Sequence, residues 1–78
     1  MKYVIINQMW PIIFPNHVDH CRFKNVGKIT SAGFVEFTAD SETGQIIAYP
    51  SGQSFTLKLK PDNGDDIILE NLMKERSL

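Results

Sequence analysis

The stretch Lys28-Ile29-Thr30-Ser31-Ala32-Gly33-Phe34-Val35-Glu36-Phe37-Thr38 decides the fold. Ile29, Val35 and Phe37 fall on one parity and Lys28, Thr30, Glu36 and Thr38 on the other, the two-residue period of a half-buried strand. Phe34 breaks the alternation beside Gly33, which predicts a bulge or the close approach of another backbone or a ligand. Downstream, Asp40-Ser41-Glu42-Thr43-Gly44 turns the chain into Gln45-Ile46-Ile47-Ala48-Tyr49, and Pro50-Ser51-Gly52 reverses it again. Residues 53–60 then alternate Phe55, Leu57 and Leu59 with Ser54, Thr56, Lys58 and Lys60, which predicts the third strand of a meander.

Upstream, Lys2-Tyr3-Val4-Ile5-Ile6 is short, β-branched and apolar on both parities, the pattern of a central or well-covered strand. Asn7-Gln8 turns the chain, and Ile12-Ile13-Phe14 returns behind Pro11, a residue tolerated at a strand's start or on an edge. Asn16, three positions before Asp19, predicts the cap of a short helix reaching about Lys24, where Asn25 and Gly27 stop it. At the other end the alternation disappears. Ile68 with Leu72 and Leu69 with Met73 are four apart, Glu70 precedes Lys74 by four, and Asp65 and Asp66 suit a first helical turn, so a helix is predicted over about 63–75. The order ββαβββα describes one α+β domain over 1–78, a mainly antiparallel sheet of about five strands with the C-terminal helix packed on one face.

Composition narrows the function classes. The chain has 78 residues, 8 basic and 9 acidic side chains and 42% hydrophobic content, too apolar for a disordered tail and too balanced in charge for a protein that coats DNA. Lys2, Asn7, Gln8 and Pro11 interrupt the N-terminal apolar stretch, so no run approaches the roughly 20 residues of a membrane span. A Trp-Pro pair also stands where the apolar centre of a secretory signal would continue. Cys21 is the one cysteine and closes no intrachain disulfide, which fits a reducing compartment and also a free or intermolecular thiol; a cytoplasmic protein is expected. A domain this small without disulfide or metal has a thin stability margin, and pairing of two copies to bury more apolar surface, a dimer or other homo-oligomer, is expected.

Phe14-Pro15 followed by His20, the run Lys28 to Val35, Ser51-Gly52-Gln53-Ser54 leading to Leu57, and Pro61 before an acid-rich helix start resemble a family of small uncharacterised bacterial proteins. Such proteins come from mobile or accessory DNA, including phage-like regions and integron gene cassettes. The chain departs from the family's pattern at Thr56 and at Lys24-Asn25-Val26. The resemblance supplies no activity; it implies that His20, Ser31, Gly33, Gly52 and Ser54 belong together.

Four chemistries are set against this background. His17, His20 and Cys21 have a spacing that puts ligands on one side of a helix, but zinc would need Asp19 or a remote carboxylate to complete the set, and no metal or other cofactor is expected. Ser31 or Ser54 with His20 would make a nucleophile and base only if the strands brought them within hydrogen-bond reach, and strand serines more often satisfy backbone or cross-strand partners. Trp10, Tyr3, Tyr49 and Phe34 with Lys58 and Lys60 offer a platform for nucleic acid, against which the acidic balance of the chain argues. The preferred reading is a non-enzymatic, self-associating protein-interaction module, in which exposed Trp10, Ile12 and Phe34 or an unpaired strand edge meet a partner. The alternative is a small-molecule-binding protein in which Gly33 and Gly52 permit close approach and His20, Ser31 and Ser54 make polar contacts.

Overall fold

A strand that is apolar on both faces needs cover on both. The computed structural model, which describes residues 1–76, puts Lys2–Ile6 (β1) in the interior of the sheet, with Tyr3, Val4 and Ile5 all 0% exposed. Trp10–Phe14 (β2) pairs with one side of β1 and Ile29–Ala39 (β3) with the other; Ile46–Ser51 (β4) pairs with β3. All pairings are antiparallel, in the order β2-β1-β3-β4, and the chain ends in the helix Asp65–Arg76 (α1). The α+β class, the antiparallel sheet and the terminal helix are as the sequence predicts.

The opening hairpin turns where expected. Asn7 and Gln8 take left-handed φ values of 56° and 61°, and the Met9 N–H donates to the Ile6 carbonyl at 3.0 Å. The turn is fastened to the start of β3, because the Asn7 N–H donates to the Lys28 carbonyl at 2.7 Å and the Gln8 N–H to Thr30 Oγ1 at 2.8 Å. The pairing of β1 with β3 shifts register between Ile5 and Ile6. Below that irregularity Ile29 leaves the face of Val35 and Phe37 and packs against Val4, Phe14 and Ala32. The predicted common face for Ile29, Val35 and Phe37 is thus corrected, since an extra residue in one strand reverses the parity beyond it.

The sheet separates two apolar layers. Tyr3, Ile5, Val35 and Ala48 meet Leu69 of α1 on one face, with Ile13, Phe37 and Ile68 around them. On the other, Val4, Phe14 and Ala32 are covered by Val18, Phe23, Leu57 and Leu59. This second layer explains two corrections. The predicted helix from Asn16 to Lys24 is a single 3₁₀ turn, His20–Phe23, whose cap is Asp19 and not Asn16. Residues 53–60 form no fifth strand. The Ser54 and Leu59 backbones bond each other at 2.7 and 3.2 Å, Lys58 adopts a φ of 57°, and the segment folds into a closed loop. Its alternation is real, but Leu57 and Leu59 serve as a cover laid on the sheet face that α1 leaves bare, not as a continuation of the sheet.

Each free edge of the sheet carries an outward-facing proline. Met1 and Val35 exchange backbone hydrogen bonds at 3.2 and 2.8 Å, which fixes the phase of the ladder and aims the backbone groups of Tyr3 and Ile5 at β3. Ile5 and Pro11 are then a non-hydrogen-bonded pair, and the nitrogen of Pro11, which has no hydrogen to give, faces outward. On the opposite edge the outward Ala48 N–H donates to Glu70 of α1 at 3.0 Å, and Pro50 shares its parity. Both edge strands therefore carry the blunting that protects a sheet from further pairing.

Candidate functional site

The five residues that the resemblance joined are divided by the sheet. His20 is buried between two rings, edge-on to Phe14 at 5.3 Å and to Phe34 at 5.8 Å. Its Nε2–H donates to the Gly33 carbonyl at 2.8 Å, a bond that fixes the tautomer because a carbonyl only accepts. Gly33 has no room for a side chain: a Cβ there would lie 2.8 Å from the Ser51 carbonyl oxygen and against Pro61. Gly52, at φ +69°, lies under the Phe34 ring. His20, Gly33, Gly52 and Phe34 are thus neighbours.

Ser54 has its hydroxyl engaged within its own loop, and Ser31 lies across the sheet from that group. Ser54 is buried inside the 53–60 loop, where its hydroxyl accepts from the Leu57 N–H at 3.2 Å and lies 3.4 Å from the Thr56 hydroxyl. Ser31 is on the face of α1 and donates to Asp65 at 3.1 Å. With Nε2 donating to Gly33, that nitrogen is not free to take a proton from a serine, and Ser31 lies across the sheet.

The sequence reading missed the node around Asp65. This carboxylate is 3% exposed and accepts from the Tyr3 hydroxyl at 2.7 Å, the Ser31 hydroxyl at 3.1 Å and the Asp62 N–H at 2.9 Å. The last bond ties the first residue of α1 back to the turn that leads into it. Burial first, then the hydrogen bond and charge of Asp65, push the Tyr3 phenol well above its ordinary pKa. Tyr3 is therefore no surface aromatic, contrary to expectation; it is completely buried. Among the described residues no buried side-chain nitrogen or oxygen lacks a partner, and this node is a closed clamp between sheet and helix. The signals were an acid three residues after Asp62 and a tyrosine inside a doubly apolar strand, whose hydroxyl needs a partner when buried.

The expected interaction residues also separate. Trp10 is 61% exposed; Ile12 is half-buried against Val4 and Phe14; Phe34 sits near the other end of β1, across from Lys2, with the Lys2 ammonium 5.8 Å above its ring. Trp10 instead joins Met9, Pro11, Ile68, Asn71, Leu72 and Glu75 around a groove of about 320 Å³. The groove has a simple origin. Four strands span about 14 Å between outer axes and a helix is about 10 Å across, so one helix cannot cover them all. Helix α1 lies mainly over β4 and touches β2 only lightly, which leaves the β2 side of this face open. Met9, itself 60% exposed, carried no signal in the sequence, because it follows a turn and belongs to no periodic pattern.

His17 is exposed and Cys21 half-buried, and among the described residues no group of three His, Cys, Asp or Glu side chains is placed to hold a metal. No described helix is long and apolar enough to cross a membrane. Comparison with protein-family models, with curated proteins and with solved structures finds no match for the chain, so nothing in them bears on the resemblance.

Proposed function

We propose that the protein is a small non-enzymatic interaction module of the cytoplasm that associates with a second copy of itself, and that the contact is made by the groove between the β1–β2 hairpin and α1. The observation that carries this reading is the exposure of Met9 and Trp10, at 60% and 61%, beside one shared concavity. Large apolar side chains grouped around a groove mark recognition surfaces, whereas the same residues scattered singly would need no explanation. The blunted edges argue against pairing through strands, so of the two routes open to the sequence the side-chain route is favoured.

The chain also exposes more surface than a compact monomer of its size would. The accessible surface of 5407 Å² exceeds the ~4,800 Å² expected of a compact monomer of 8.9 kDa. The surplus of about 600 Å² is comparable with the ~800 Å² that each partner gives up in an ordinary stable interface. Sedimentation equilibrium between about 1 and 100 μM tests the reading, a range chosen because transient assemblies fall in it. Mass should rise with concentration above 8.9 kDa, and Trp10→Ser should weaken association by about tenfold or more, as loss of a central aromatic anchor does. A mass that stays at one chain throughout would overturn the proposal.

A further inference from the structure

The chain enters α1 through Asp62-Asn63-Gly64-Asp65. The Asp65 N–H donates to the Asp62 carbonyl at 3.2 Å, which closes a four-residue turn, and Gly64 holds a φ of +93° at its third position. That is the type II arrangement, whose third residue needs a positive φ and whose own N–H takes no part in closing the turn. Among the described residues no acceptor takes the Gly64 N–H. The place where a Cβ of Gly64 would stand is open, with no atom within 4 Å. Asn63 is exposed, and among the described residues only its backbone N–H is engaged, donating to Asp62 Oδ1 at 2.9 Å. A free side-chain amide thus stands next to an unhindered, unbonded main-chain nitrogen, and asparagine is among the chemically least durable side chains.

We infer that Asn63 is a self-modification site, at which the chain converts its own Asn63-Gly64 linkage into aspartate and isoaspartate and so loosens the clamp at Asp65. The Gly64 nitrogen attacks Cγ of Asn63. An N–Cγ bond forms, the bond from Cγ to the amide nitrogen breaks, and the Gly64 proton leaves with that nitrogen as ammonia. One water then opens the five-membered succinimide, its hydroxyl going to a ring carbonyl carbon and its proton to the ring nitrogen. Opening at Cγ leaves an ordinary aspartate; opening at the main-chain carbon leaves an isoaspartate, with an extra methylene in the backbone. Ring closure needs the Asn63-Gly64 peptide to swing toward Cγ, a motion that a glycine in open space opposes least. The two products differ in effect. Asn63 lies between Asp62, whose N–H donates to Asp65 Oδ2 at 2.9 Å, and Asp65, which holds Tyr3 and Ser31. A lengthened backbone at that point displaces one end of the clamp from the other. The ordinary aspartate adds only a charge, which the N-terminus of α1 favours and the neighbouring acids oppose.

The other asparagines are internal controls, because Asn7, Asn16, Asn25 and Asn71 precede Gln8, His17, Val26 and Leu72, all with side chains. The unaltered chain is incubated in warm, mildly alkaline buffer and its peptides are followed by mass spectrometry. The mass gain of an amide-to-acid exchange should appear at Asn63 about tenfold or more faster than at any of the other four. Asn63→Gln, with its amide one methylene too far for a five-membered ring, should remove the fast phase. Similar rates at all the asparagines, or a fast phase that survives Asn63→Gln, would overturn the site. The isoaspartyl product is then separated by chromatography and identified by its resistance to a protease that cuts at aspartate. It should unfold at lower urea than the unaltered chain and exchange the Asp62 N–H faster, while Asn63→Asp should stay close to the unaltered chain in both. An isoaspartyl chain as stable and as protected as the unaltered one would overturn the loosening of the clamp, as would an Asn63→Asp chain weakened to the same degree. Neither readout depends on self-association.

Discussion

The two faces of the sheet are covered in different ways. On one, a regular helix lays Ile68 and Leu69 against Tyr3, Ile5 and Val35, and a buried carboxylate clamps its first turn to the strands. On the other, a single 3₁₀ turn and a closed loop are stitched over Val4, Phe14 and Ala32 by contacts such as Thr56 to Asp19, both exposed. The helix side concentrates its stabilisation in buried groups, while the loop side spreads it over partly exposed ones. A fold with one long helix and two apolar faces must improvise its second cover, and here the improvised cover leaves Phe55 80% exposed.

The contrast is broken most directly by truncating one anchor on each face. Leu69→Ala, at a site with 0% exposure, should cost about 3 kcal/mol in urea denaturation. Leu57→Ala, at a half-buried site, should cost about 1 kcal/mol, and equal losses would mean that the two layers are alike. Next in size is the clamp. Asp65→Ala strands the Tyr3 and Ser31 hydroxyls and the Asp62 N–H, an expected loss of about 2 kcal/mol by the same measurement.

The clamp also has an alkaline signature. Because the folded state raises the Tyr3 pKa, its contribution is complete below the unfolded value of about 10 and is lost as pH rises beyond it, by up to about 1.4 kcal/mol per pH unit. Tyr3→Phe should flatten that limb. The smallest effect belongs to the loop face. The Thr56 hydroxyl first, and then the Cys21 N–H, hold the Asp19 carboxyl below its ordinary pKa. Its contribution is therefore present above the unfolded carboxylate value and fades as pH falls through the lowered one; Asp19→Asn should remove this weak acid-side slope from thermal melts recorded between about pH 2 and 5.

The helix face was far more legible in the sequence than the loop face. A doubly apolar β1, an Asn-Gln turn and a four-residue spacing of Ile68 with Leu72 each follow from local rules, and each is found. Residues 53–60 depart from the predicted strand because alternation reports which side chains are wet and which are dry, not whether the backbone has a neighbour to pair with. At that point in the fold the neighbour is gone, with Pro50 lacking an N–H and that of Ala48 already engaged by Glu70. For the candidate site, Trp10 stood out as a large side chain at the start of an edge strand, but its groove depends on where α1 lies across the sheet, a distance relation between residues some sixty positions apart. The grouping of His20 with Ser31 failed for a related reason, since spacing along the chain carries no record of which side of β3 each one visits.

The outward-facing prolines have a final consequence. A sheet whose rims still offered ladders of donors and acceptors would grow by templating, one chain after another, into fibres of no fixed length. Pro11 and Pro50 each remove a donor from a rim, which disfavours growth through the main chain. Any assembly must then be written in side chains, a vocabulary that single substitutions can edit word by word without rewriting the backbone underneath.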